Sequence, residues 1–241
     1  MSTLETGTIE PQSGTTVTLG TSGDAVVIGA DALKVNTIKD AGANTILTSN
    51  GSGTLSSVNS GLGGGMVFIS SATASNSSSL SFTSGIDSTY DEYVFYFVNI
   101  NPVTDDVQFE FNASDDTSSW VYNILKTTTV FTAWHAAADD TDGLSYQAGY
   151  DLAESADYQR IMASLSNDAD EAGSGILHLF APSSAYVKNF YLRTESNHYE
   201  GRETDCFVAG YFNTTAAITA LDFKMSSGNI NEGTIYLYGI K

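Results

Sequence analysis

The chain has one cysteine, three histidines and only nine basic residues among 241. Each shortage removes a class of protein. Cys206 has no partner for an intrachain disulfide, so burial and association must supply stability. His135, His178 and His198 stand far apart, and none belongs to a His-x-His or His-Glu-x-x-His pattern. Nine Lys and Arg face 28 Asp and Glu, giving a formal net charge of -19 with no basic cluster to meet phosphate groups. That balance argues against nucleic acid and anionic membrane as partners. No apolar run is long enough to cross a bilayer. The opening Met1-Ser-Thr-Leu-Glu-Thr6 lacks the basic and apolar segments of a secretory signal, so assembly in the cytoplasm is expected.

Catalytic signatures are also missing. The chain contains no Gly-x-Ser-x-Gly elbow, no phosphate-binding Gly-x-x-x-x-Gly-Lys loop and no dinucleotide fingerprint, and no βαβ unit to carry the last. The expectation is a protein that is not an enzyme and has no catalytic residues.

What is present is β-forming. Thr, Val, Ile, Tyr and Phe are abundant and no stretch keeps helical periodicity, which predicts an all-β protein with very little helix. Residues 1–60 form one block of short β-prone pieces (Thr16–Leu19, Ala25–Ile28, Thr45–Leu47) punctuated by Gly, Ser, Thr and Asn. Such a block cannot bury enough apolar surface to offset its conformational entropy, so it orders only by winding with copies of itself or stays disordered. Asn50-Gly51 is a strong turn signal within it. Residues 61–65 end in Gly63, Gly64 and Gly65, a hinge or linker.

From residue 66 to 241 about a dozen strands separated by polar turns predict a two-sheet sandwich, most simply a jelly roll. Predicted strands include Met66–Ile69, Glu92–Ile100, Val107–Phe111, Trp120–Leu125, Thr128–Trp134, Tyr186–Thr194 and Thr234–Ile240. Tyr93 to Ile100 is apolar on both faces, as in a central strand covered on its second side by a loop or a neighbouring subunit. Val107, Phe109 and Phe111 alternate with Gln108 and Glu110, which predicts one wet face.

Two groups of residues are candidates for binding. Asp139, Asp140 and Asp142, followed by Gly143, read either as a solvated acidic turn or as a surface Ca2+ site. Ala138 and Gly149 occupy the positions where an EF-hand needs its first and last ligands, so the loop is not an EF-hand. Trp120, Trp134, Tyr146 and Tyr150, with acidic loops between them, read either as sandwich core or as an aromatic platform for sugar rings.

Three stretches then resemble fibre proteins of tailed bacteriophages, particularly those of marine and cyanobacterial hosts. They are Pro11–Gly20, Phe82–Phe97 and Phe223–Ile240, and the resemblance runs from about residue 8 to the end. It implies a homotrimer in the virion, with residues 1–60 as a stalk or attachment region and residues 66–241 as an outward-facing jelly-roll head. Its partners would be a tail, adaptor or capsid protein and a host-surface glycan. Only about 60 residues precede the head, so a short fibre, a head fibre or a capsid decoration all fit. A free lectin-like module shares the sandwich and leaves the first block without a purpose.

Overall fold

The computed structural model describes residues 37–40, 42–52, 55–58 and 65–240, and the chain divides into two compact units, Met1–Leu62 and Gly63–Lys241. The expected strands at Thr16–Leu19 and Ala25–Ile28, and the hinge residues Gly63 and Gly64, lie outside the described residues. Among the described residues there is no helix.

In the first unit three short strands form an antiparallel meander: β1 (Thr37–Lys39), β2 (Thr45–Ser49) and β3 (Leu55–Val58). Asn50-Gly51 makes the β2–β3 turn, with Gly51 at φ +80° and the Ser52 N–H donating to Asn50 Oδ1 at 2.8 Å. Every side chain of β1 and β2 is exposed or half-buried. So small a sheet has little burial of its own to hold it.

The second unit contains twelve strands, all paired antiparallel: β4 (Met66–Thr73), β5 (Leu80–Phe82), β6 (Glu92–Pro102), β7 (Val107–Ser114), β8 (Lys126–Ala136), β9 (Asp142–Tyr146), β10 (Gln159–Leu165), β11 (Gly173–Phe180), β12 (Lys188–His198), β13 (Arg202–Phe212), β14 (Ala220–Met225) and β15 (Ile230–Ile240). Eight of them pair in the order β4-β15-β6-β11-β12-β13-β8-β9, and four in the order β5-β14-β7-β10. The two layers join at one residue pair, Leu165 with His198, so the sheet curls back on itself as a near-closed sandwich.

The predicted sandwich is thus present, and its core is aromatic. Phe95 and Phe97 of β6 meet Phe82, Phe109 and Phe223 of the smaller sheet, and Phe111 stacks on Phe223, with all six rings buried. β6 is a central strand between β15 and β11; Tyr93, Phe95 and Phe97 on its inner face are buried, whereas Val98 on the other face is exposed. In β7 the buried Val107, Phe109 and Phe111 alternate with half-buried Gln108 and Glu110.

Two local expectations fail. Residues 120–125 are not a strand. Their backbone is held by side chains instead: Asn112 Nδ2 donates to the Tyr122 and Ala156 carbonyls, both at 2.8 Å, and the Val121 N–H donates to Asp116 Oδ2 at 3.1 Å. Trp120 itself has φ +46°, which breaks an extended run. Conversely, Asp142–Tyr146 is strand β9, because the free edge of β8 offers it a ladder from Phe131 to His135. Pairing outweighs the turn-like composition there.

Candidate functional site

Trp134 and Tyr150 are brought together. Trp134 lies on β8 opposite Gly143 of β9, and its ring covers that glycine so closely that a Cβ there would lie 2.4 Å from Cζ2. Gly143 therefore serves as the seat of the indole, not as a turn residue. Tyr150 comes from the loop after β9, which is pinned to β8 at several points. The Gln147 N–H donates to the Val130 carbonyl at 2.9 Å, and Gln147 Nε2 donates to Thr132 Oγ1 at 2.7 Å. The buried Gln159 accepts from Thr128 Oγ1 at 2.6 Å and donates to the Tyr150 carbonyl at 3.0 Å. The Arg160 guanidinium stacks on the Tyr150 ring at 5.1 Å.

Between these residues lies a cavity of about 160 Å³ lined by Thr132, Trp134, Gln147, Tyr150, Ala163, His198, Arg202 and Thr204. Register explains the company: Thr204 pairs with Trp134 and with Ser196, and Arg202 pairs with His198 and with Ala136. Burial, and after it the Arg202 charge, hold the His198 imidazole below its ordinary pKa. The Arg202 side chain is 29 % exposed, so one wall reaches solvent.

The other predicted residues lie elsewhere. Tyr146 pairs with Phe131 on the opposite face of the β8–β9 ladder from Trp134, and its hydroxyl donates to Asp151 Oδ2 at 2.5 Å. Trp120 belongs to the loop before β8 and does not line the cavity. Asp139 and Asp140 occupy the β8–β9 hairpin turn, Asp139 at φ +55° and 3.2 Å from His135 Nε2, and Asp142 opens β9. Among the described residues no three His, Cys, Asp or Glu side chains converge as a metal group. Gly65 is exposed, ahead of β4.

A second surface contains only Tyr146 of the residues expected to bind. On the outer face of the eight-stranded sheet, Tyr236, Tyr96, Ile176, Arg193, Phe207, Phe131 and Tyr146 sit directly opposite one another across seven strands. A parallel row runs Phe68, Tyr238, Val94, His178, Tyr191. Rings touch along both rows: Phe131 stacks on Phe207 at 4.6 Å, and His178 on Tyr191 at 4.6 Å. The polar side chains in the rows have partners within the chain. Arg193 Nη2 donates to Asp205 Oδ2 at 2.6 Å, and His178 Nδ1 lies 2.5 Å from Glu92 Oε1. The two-sided apolarity of Tyr93–Ile100 was the visible trace of this face.

On the smaller sheet the buried Asp222 carboxylate accepts from Ser81 Oγ at 2.5 Å and from the Tyr158 hydroxyl at 3.0 Å. The Cys206 thiol is buried, and burial pushes its pKa up to about 12, so it stays protonated. Comparison with protein-family models, with curated proteins and with solved structures returns no match.

Proposed function

We propose that the chain is a non-enzymatic subunit of a bacteriophage virion. It forms a short homotrimeric fibre that docks through residues 1–60 onto a tail, adaptor or capsid protein and presents residues 66–241 to a host-surface glycan. The observation that carries this reading is the outer face of the eight-stranded sheet. A monomeric soluble protein rarely leaves so long a run of rings open to water. Phe68, Phe131, Tyr146 and Tyr191 are each more than two-fifths exposed, although the chain carries a net charge of -19. Arg193 is already paired with Asp205 on this face, so it adds no unpaired cation to a contact between sister subunits.

The jelly-roll reading rests on strand order. If β5 to β11 and β14 are counted in chain order, one sheet runs first, eighth, third, sixth (β5-β14-β7-β10). The other runs second, seventh, then fourth, fifth (β6-β11 and β8-β9), with the β12–β13 hairpin inserted between. That interleaving belongs to the jelly roll. β15 and β4 extend one edge.

Two tests bear on the reading. Changing Phe131 and Tyr191 together to Asp should convert a trimer into monomers in sedimentation while leaving the melting of the head unchanged, since both side chains are already partly exposed. A trimer of undiminished mass would place the subunit contacts elsewhere. Gold-labelled antibody against the chain should decorate intact particles at one fixed position, on the tail for a fibre or on the capsid for a head fibre or decoration. Bare particles would remove the virion role. The second reading, a free lectin-like module, is favoured by the Trp134–Tyr150 cavity, and only it predicts that removing residues 1–65 costs nothing in function.

A further inference from the structure

Thr204 Oγ1 is the one buried side-chain polar atom among the described residues with no hydrogen-bond partner, and it lies in the lining of the Trp134 cavity on a residue only 5 % exposed. A lone hydroxyl in such a place is costly unless something brings it a partner. The neighbouring polar groups are satisfied within the chain: the Glu200 N–H donates to His198 Nδ1 at 3.1 Å, and Arg202 Nη2 reaches Glu200 Oε2 at 3.2 Å. The cavity therefore combines one unpartnered hydroxyl with two aromatic residues in its lining, Trp134 and Tyr150.

We infer that this cavity is a binding site for one neutral sugar ring, taken end-on as the terminal residue of a glycan. This deepens the glycan-recognition part of the function proposed above and rests on it. A pyranose ring offers an apolar C–H face to an indole or phenol ring and hydroxyl oxygens that both accept and donate. Those oxygens supply the partner that Thr204 lacks. The volume, about 160 Å³, is roughly ten times what one water needs, which suits a single ring and not a stretch of polymer. Charge selects a neutral ligand. Arg202 in the lining is already paired with Glu200 at 3.2 Å, so an anionic sugar finds no unpaired cation there.

The test uses the full chain with Trp120→Phe, which leaves Trp134 as the sole tryptophan. Methyl glycosides of glucose, galactose, mannose and N-acetylglucosamine are titrated against its emission, with glucuronate as the charged comparator. At least one neutral glycoside should give a saturable change with half-saturation at about millimolar concentration, the range expected of so small a ligand. Thr204→Val, close to isosteric, should weaken that binding about tenfold, the loss of one hydrogen bond. No change with any neutral glycoside, a response to glucuronate alone, or equal binding by the Thr204→Val protein would each overturn the inference. If Thr204→Val raises the melting temperature while the parent ignores every sugar, the hydroxyl is an unpaid structural defect and the site does not exist. None of these failures touches the trimer or its place on a particle, which sedimentation and gold labelling report separately.

Discussion

Replacing Phe223 with alanine is expected to destabilise the sandwich by about 3–5 kcal/mol, the usual loss for a large ring removed from a closed core. Phe223 is fully buried on β14, and its ring centroid lies between 5.3 and 6.2 Å from those of Phe82, Phe95, Phe97, Phe109 and Phe111. Phe95 and Phe97 belong to the eight-stranded sheet and the other three to the four-stranded one. The ring is thus the main aromatic tie between the layers. At roughly 2–4 °C per kcal/mol for a unit of this size, melting should fall by about 6–20 °C. Phe223→Leu keeps part of the volume and should lose much less. A drop of only a degree or two for the alanine variant in calorimetry would mean that the layers are held chiefly elsewhere.

The second large effect is a pH dependence. Lys126 is fully buried at the start of β8, where its Nζ donates to the Ile124 carbonyl at 3.2 Å and the Asp157 carbonyl at 2.5 Å, with the Phe212 ring at 6.0 Å. Carbonyls solvate the ammonium only in part, so desolvation lowers its pKa from 10.5 to about 8. Below about pH 8 the folded and unfolded chains both hold the proton, and the cost of the buried charge is fully present. Between about 8 and 10.5 the unfolded chain holds more protons, so stability rises with pH, by about 3 kcal/mol in all. Lys126→Met should abolish that rise. The quantity to measure is the difference in urea-unfolding free energy between parent and variant across that window, which cancels the charge repulsion common to both. A difference that stays flat with pH would show that Lys126 keeps an ordinary pKa in the fold.

Much of the sandwich was legible because its strands alternate or are wholly apolar over many residues. Val107 to Phe111 declares its wet face, and Tyr93 to Ile100 is apolar on both faces, one buried in the core and the other carrying the exposed Val98. What escaped was decided by partners distant in sequence. Nothing local in Trp120–Leu125 says that Asn112 and Asp116 will take its backbone groups, and nothing in Asp142–Tyr146 says that β8 has an open edge. The cavity divides the same way. Trp134 and Tyr150 stood out as aromatic residues in an acidic stretch, whereas Thr204, His198 and Arg202, all more than sixty residues after Trp134, reach it through the β12–β13–β8 register. Their only local signal was the alternation of Arg202, Thr204 and Cys206 against the acidic Glu203 and Asp205. Such alternation marks an inward face but does not say what it faces. Tyr146 was grouped with the other aromatics by proximity in sequence, and the period of two sends it to the opposite face from Trp134.

The association of three identical chains proposed above would account for both the weakly buried amino-terminal sheet and the broad aromatic outer face. Sedimentation equilibrium of the intact protein at neutral pH tests it directly. The prediction is a single species of about 76 kDa, three chains of 25.5 kDa, stable on dilution. A monomer of 25.5 kDa at every concentration would contradict it.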